Sequence, residues 1–194
     1  SSSSSSSSMS PSSSSSSSSF LEVAVKVQYP GVAQSIDSDL DNLRTLLRTL
    51  PSMLPAGLYV EPLLEAARAE LKLETDYHHE AACQTRFRAL LSDRPNLAVP
   101  RVLPELSTAR VLTAELATGM PVERALLHLT QHQRDWLGFQ VMELCLRELF
   151  EFRFMQTDPN WSNFLLDIGR RPALTLLDFG ACRSFAPTFV EPYR

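Results

Sequence analysis

The sequence predicts an α+β fold on three observations. Short β-type runs occupy the start, middle and end of the chain. Longer stretches with apolar residues at helical spacing lie between them. Clusters of Pro, Gly, Asp and Ser separate the two kinds of segment.

The elements can be justified in order. Residues 1–19 hold 17 serines, interrupted by Met9 and Pro11. A tract of that composition has too little apolar surface to offset its ordering entropy, so disorder is expected and the fold is left to Phe20–Arg194. Leu21–Tyr29 places valines at 23, 25 and 27, the alternation of a half-buried strand, and Pro30-Gly31 ends it. Leu40, Leu43, Leu47 and Leu50 recur at helical spacing from about Ser38, with a stop at Pro51 and Pro55-Ala56-Gly57. A stretch rich in Ala, Leu and Glu then runs from Glu61 to about Leu91, and its length predicts a break near Asp76-Tyr77. Residues 99–116 read as a hairpin, with Val102-Leu103 and Val111-Leu112-Thr113 as its arms and Ser107-Thr108-Ala109 as its turn. Gly119 and Pro121 mark a connector. Thr130–Phe154 is apolar on one face (Leu137, Val141, Leu144, Cys145, Leu149, Phe152) and carries Phe139, Met142 and Phe150 elsewhere, so burial nearly all round is expected. Phe164-Leu165-Leu166 and Leu174–Leu177 form a second hairpin around Asp167-Ile168-Gly169-Arg170. A small strand-bearing lobe is thus joined near Leu116–Pro121 to a helical one.

Composition narrows the function classes. Hydrophobic content of 44%, charged content of 21% and a net charge of −4 describe an ordinary globular chain. No Lys/Arg block is present, which leaves nucleic-acid binding little to rest on. No apolar run reaches the length of a transmembrane segment, and no leader sequence is visible. Three cysteines, Cys83, Cys145 and Cys182, lie far apart without metal-ligand spacing and are expected to be reduced thiols. Cys145 is expected in the core and Cys182 nearer solvent. His78, His79 and Cys83 lie close in sequence, but adjacent helical histidines point apart, so a zinc site is not expected there.

Three motifs carry chemistry through their order. Val23-Ala24-Val25-Lys26 projects a lysine from a strand, Asp158 and Asn163 are separated by four residues in a loop after a helix, and Asp178-Phe179-Gly180 follows a strand. Taken singly, each has an ordinary explanation: an edge charge, a pair of turn formers, a chance triplet. In sequence they reproduce the kinase arrangement of a phosphate-pairing strand lysine, a D-x-x-x-x-N loop and a DFG. Lys26 supplies a cation for nucleotide phosphates, Asn163 and Asp178 offer hard oxygen ligands to Mg²⁺, and Asp158 orients or deprotonates an attacking hydroxyl or water. An acid on the long helix is expected to hold Lys26 in place.

The sequence resembles the UbiB-type atypical kinases, also called AarF-domain-containing (ADCK) kinases, and within them the animal mitochondrial branch needed for coenzyme Q biosynthesis. The resemblance covers residues 22–193. It is carried by Val-Ala-Val-Lys-Val-Gln-Tyr-Pro-Gly at 23–31, by Glu74-Thr-Asp76-Tyr-His-His-Glu80 and by Leu146–Asn163, where Gln156-Thr157-Asp158 stands in place of His-Arg-Asp. It implies a kinase-like two-lobe fold, with residues 20–118 a partial N-lobe bearing inserted helices and 119–194 a partial C-lobe. It implies Lys26 and Asp158 as catalytic residues and Glu80 as the helix partner of Lys26, with Glu74 the alternative. Glu74 and Asp76 would form the family's ExD motif, Glu115 would lie in the hinge that meets adenine, and Asn163 and Asp178 would be the metal ligands. ATP or ADP with Mg is the implied cofactor. The implied partners are other coenzyme Q biosynthesis proteins and a membrane lipid or quinone precursor, in mitochondria. The family also has a KxGQ-bearing extension and an alanine-rich loop before the lysine strand, and helices well past DFG. The serine tract stands where the first two belong and the sequence ends soon after Gly180, so the expectation is a fold truncated at both ends. Two functions follow: an ATP-dependent atypical kinase or ATPase, or a non-catalytic nucleotide-binding scaffold.

Overall fold

The computed structural model describes residues 20–49, 59–158, 160–169 and 171–194. The serine tract, the expected helix stop at Pro51 and Pro55-Ala56-Gly57, and Arg170 of the second turn lie outside these residues.

In chain order the first elements are β1 (Val23–Val27), α1 (Val32–Thr49), α2 (Val60–Glu74), α3 (Tyr77–Leu90), β2 (Leu97–Ala98) and β3 (Val111–Glu115). There follow β4 (Met120–Pro121), α4 (Val122–Ala125), α5 (Gln131–Leu146), β5 (Phe154–Gln156), β6 (Phe164–Asp167), β7 (Ala173–Leu176), β8 (Cys182–Ser184) and α6 (Pro187–Val190). The α+β class read from the sequence holds.

The lysine strand sits as predicted, but its surroundings differ. β1 pairs antiparallel with β3, Lys26 opposite Leu112 and Val23 opposite Glu115. It is not half-buried: Val25 and Val27 are 54% and 66% exposed, because among the described residues nothing covers their face. Pro30-Gly31 ends the strand and starts the next helix at once, with Gly31 at φ 89° and its carbonyl accepting from Ser35 N–H. Helix α1 therefore begins at Val32 rather than near Ser38, and it buries Ile36 and Leu40 while Leu43 stays exposed. Ile36 and Leu40 meet Leu64 of α2 in a small separate core.

The long helical stretch divides where expected. Thr75 ends α2, and Asp76 takes extended geometry and caps α3, its Oδ1 accepting from His78 N–H at 3.0 Å and His79 N–H at 3.2 Å. The first predicted hairpin is only partial. Leu103 N–H reaches Thr113 O at 2.8 Å and Glu115 N–H reaches Arg101 O at 2.9 Å, but Pro104–Leu106 turns into a 3₁₀ segment and the main partner of β3 is β1. Proline at the first position of that turn withholds the donor a second full strand would need.

A four-stranded sheet has the order β2-β7-β6-β4, with β2 parallel to β7 and the other pairs antiparallel. The β6–β7 pair is the second predicted hairpin. Gly119, at φ 128°, lets the connector pass close to Leu166 O. β5 and β8 form a separate antiparallel pair that places Gln156 opposite Cys182.

Helix α5 starts on a capping box, with Thr130 Oγ1 accepting from Gln133 N–H and Gln133 Oε1 accepting from Thr130 N–H. It runs into a π-helical segment, Arg147–Phe152, which ends at Arg153 in the left-handed region. Contrary to expectation it is not buried all round. Leu137, Gln140, Leu144 and Glu148 face inward, while Phe139, Met142 and Cys145 are exposed. Among the described residues the helix is packed on one side, so apolar residues off that side stay exposed. The main core joins α3, α5 and the sheet, with Leu137 and Leu144 from α5 and with Phe87, Val122, Leu174, Leu176 and Phe179 fully buried.

Candidate functional site

Three local structures deliver the motif residues to one place. β1 presents Lys26, whose Nζ lies 2.8 Å from both carboxylate oxygens of Glu80, one turn into α3. Glu80 is buried at 2% exposure, and its aim is fixed by the Asp76 cap at the start of the same helix. Of the two acids that sequence left open, Glu80 is the one that meets the ammonium. Lys26 Nζ also stands 3.7 Å from Asp178 Oδ2 and 5.2 Å from the Tyr77 ring centre. Burial alone would pull the Lys26 ammonium down. The Glu80 hydrogen bond and charge, with Asp178 and Tyr77, outweigh that and hold it above its ordinary value.

Asp178 follows β7 in the left-handed region, at φ 57°, with its Oδ1 accepting from Gly180 N–H at 3.2 Å. A non-glycine residue in that region is strained unless its surroundings over-determine it. Here the Gln156 amide donates to the carbonyls of Leu177, at 3.0 Å, and of Asp178. Leu177 N–H donates to Asn163 O at 2.8 Å, and Thr157 Oγ1 donates to Ala181 O at 2.6 Å. The catalytic-loop segment and the DFG segment are thus stitched along their backbones. The sequence named Gln156 within its motif but gave no sign of this clamping role, which depends on the β5–β8 pairing.

Asn163 Nδ2 donates to Asp158 Oδ2 at 2.9 Å, which leaves the amide oxygen of Asn163 as an acceptor. Glu74, at the end of α2, lines a cavity of about 360 Å³ with Lys26, Asp158, Asp178, Gly180 and Ala181. Three carboxylates and one ammonium border that space, an excess of negative charge suited to a divalent cation. Among the described residues no three His, Cys, Asp or Glu side chains converge closely enough to hold an ion alone. The set fits Mg²⁺, which takes one or two protein oxygens and completes its shell with phosphate and water.

Two of the predicted residues are otherwise engaged. Asp76 spends its carboxylate on the α3 cap and does not line the cavity. Glu115 accepts from Arg101 Nε at 2.9 Å and lies 3.9 Å from Arg88, and its carboxyl is held below the usual range, first by the Arg101 hydrogen bond. Glu115 nonetheless borders an apolar cavity of about 230 Å³ formed by Ala24, Leu112, Ala114, Leu116, Leu165 and Leu177, with Lys26, Glu80 and Asp178 also in its lining. Trp161, expected as a packing anchor in the loop, is 41% exposed, with its ring centre 6.2 Å from that of Phe164. Cys182, expected near solvent, is buried, and Cys145, expected in the core, is exposed, since β8 turns inward and α5 turns that face outward.

Fold and site together define a protein of the kinase-like class, with an ammonium–carboxylate pair, a catalytic-type loop and a DFG aspartate around one cleft. The ABC1 atypical kinase-like domain matches residues 13–194, and the chain belongs to that family. It is 53% identical over 172 residues to rat "Atypical kinase COQ8B, mitochondrial", covering 89% of this chain and 32% of the relative. It is 46% identical over 172 residues to the Saccharomyces cerevisiae "Atypical kinase COQ8, mitochondrial", covering 89% of this chain and 34% of that protein. The solved complex of Rv3197 with erythromycin from Mycobacterium tuberculosis is similar with a TM-score of 0.70 at 31% identity, over 85% of this chain and 41% of the other. The chain spans about a third of the length of the curated relatives it matches.

Proposed function

We propose that this chain is the nucleotide-binding part of a mitochondrial atypical kinase or ATPase of coenzyme Q biosynthesis. The observation that carries the reading is that two cavities of opposite character share Lys26 and Asp178. A base lying in the apolar space between Ala24 and Leu165 sends its phosphates into the acidic one. Lys26, held by Glu80, is the cation for those phosphates. Asn163 and Asp178 would hold Mg²⁺, which supplies neutralising charge to the phosphate oxygens when bound. Asp158 accepts or orients the proton of the attacking hydroxyl or water, and Asn163 fixes its carboxylate. Residues 20–118 and 119–194 serve as the two lobes. The family and the names of the relatives support the pathway and the mitochondrial setting. Partners from the same pathway, and a lipid or quinone precursor as the acted-on molecule, belong to the same proposal. Among the described residues no helix is long and apolar enough to cross a membrane.

The test is a thermal melt of the chain with ATP or ADP, with and without Mg²⁺, beside an Asp178→Asn variant. A ligand that binds only the native state raises the melting temperature by mass action. An Mg-dependent rise that the variant loses is the expected result. A cooperative melt that nucleotide and Mg²⁺ leave unmoved would sink the proposal.

A further inference from the structure

Beneath the nucleotide site two cysteines from distant parts of the chain face each other. Cys83 lies on α3 between Glu80 and Phe87, on the side of the helix turned toward residues 178–184. That side is marked by three contacts. Glu80 Oε2 lies 3.9 Å from where a Cβ on Gly180 would stand, the Phe87 and Phe179 ring centres are 5.2 Å apart, and Arg86 Nη1 lies 3.4 Å from Ser184 Oγ. Cys182 sits on the opposing segment within this frame. The two thiols are 6% and 3% exposed and sit in the same core cluster. His79, one turn before Cys83 and only partly buried, places Nε2 3.4 Å from Cys83 Sγ.

We propose that Cys83 and Cys182 are a peroxide-reactive thiol pair that closes to a disulfide, tying the helix of Glu80 to the segment that follows Asp178. Neither thiol takes part in the nucleotide reading, so the pair stands or falls independently of it. Cys83 is the nucleophile. His79 Nε2 stands 3.4 Å from its sulfur, and the neighbouring Cys182 thiol, with the Arg86 charge, holds the Cys83 thiol below the ordinary value despite burial. The neighbouring Cys83, with burial, pushes the Cys182 thiol up. In the tautomer that leaves Nε2 unprotonated, His79 takes the Cys83 proton. The thiolate attacks one oxygen of hydrogen peroxide, the O–O bond breaks, and the departing hydroxide recovers that proton from His79 and leaves as water. The Cys182 sulfur then attacks the Cys83 sulfenic sulfur. The S–O bond breaks, and the hydroxyl leaves as a second water with the Cys182 proton. Two thiols have lost two electrons and two protons to one peroxide.

Chain entropy does not favour this pairing. Cys145 is nearer in sequence to each of the two than they are to each other, so an unfolded chain closes loops to Cys145 more readily. In the fold Cys145 is exposed on α5 and its thiol is raised, first by desolvation. A selective Cys83–Cys182 bond is therefore a signature of the folded arrangement.

The experiment oxidises the full reduced chain with hydrogen peroxide, alkylates the remaining thiols and maps tryptic peptides, with a parallel sample in urea. The expected product joins the peptide 73–86 to the peptide ending at Arg183, reverses with dithiothreitol and is several-fold enriched over the urea sample. It persists in Cys145→Ser and is absent from Cys83→Ser and Cys182→Ser. The decisive comparison uses unsubstituted protein, so a variant that fails to fold does not bear on it. Oxidation confined to Cys145, the same mixture of pairings as in urea, or folded protein whose Cys83 and Cys182 stay reduced would each overturn the proposal.

Discussion

Glu148 offers the sharpest test of the packing described above. It lies in the π-helical segment between α5 and β5, is 3% exposed, and has its carboxyl pushed up to about 8, chiefly by burial, with a Gln156 N–H bond pulling the other way. In the unfolded chain the same group ionises near its ordinary value of 4.5. Below that value both states hold the proton and the contribution to stability is complete. Between 4.5 and about 8 the folded state holds more protons than the unfolded one, so stability falls as pH rises. The slope approaches about 1.4 kcal/mol per pH unit, about 5 kcal/mol across the window, a large part of a small domain's stability. In Glu148→Gln the side chain cannot ionise and keeps an oxygen for Gln156 N–H, so that slope should vanish. Urea unfolding followed by Trp136 and Trp161 fluorescence from pH 5 to pH 8 measures it. The two proteins should be close at pH 5, and the variant should be several kcal/mol the more stable at pH 8. Parallel curves for the two proteins would refute the assignment of a neutral buried Glu148.

Three further outcomes follow from single contacts. Phe87→Ala removes a fully buried ring set 5.0 Å from Phe154 and 5.2 Å from Phe179, and should cost about 3–5 kcal/mol in urea unfolding. Asp76→Ala strips the α3 cap of two hydrogen bonds and should cost about 1 kcal/mol, with most of that loss restored by Asp76→Asn. Gly119→Ala must carry a Cβ at φ 128° with Leu166 O only 3.1 Å away, and should lower the chemical midpoint by the equivalent of about 1–3 kcal/mol.

The parts of this fold that were legible in the sequence are those whose signal is local. The β6–β7 hairpin announces itself through two apolar runs flanking a turn, and the break between α2 and α3 through Asp76, a residue that caps better than it continues a helix. The illegible parts depend on distant neighbours. Nothing local tells Leu97-Ala98 that it will lie parallel to Leu174-Thr175, nor Phe154–Gln156 that it will pair with Cys182–Ser184. Burial failed for the same reason: the valines of β1 alternate like a half-buried strand, but alternation records a capacity to be covered, not the presence of a cover. At the candidate site the order of motifs located Lys26, Asp158, Asn163 and Asp178 together. The choice between Glu74 and Glu80 needed the helix start at Tyr77, which turns Glu80 toward Lys26 and leaves Glu74 at the end of the preceding helix.

The energetic weight of the molecule is unevenly placed, and this bears on how the site would respond to a ligand. Phe87, Phe179, Leu174 and Leu176 sit in one continuous core, so the DFG segment and α3 rest on its most buried part. Lys26 does not. Its strand is held by the ladder to β3, and the helices that follow meet in a core of Ile36, Leu40 and Leu64. Around that core Arg44 reaches Asp41, Glu61 and Glu65, and Arg68 reaches Asp37 and Asp41, pairs whose carboxylates are largely exposed and individually worth little. The Lys26–Glu80 contact is thus the principal polar link between a lightly anchored strand and a rigid helix. A phosphate bound at Lys26, with a cation between it and Asp178, would reinforce the link that Lys26 already makes to Asp178 at 3.7 Å. Its binding energy would appear first as ordering of β1, before any change in the core.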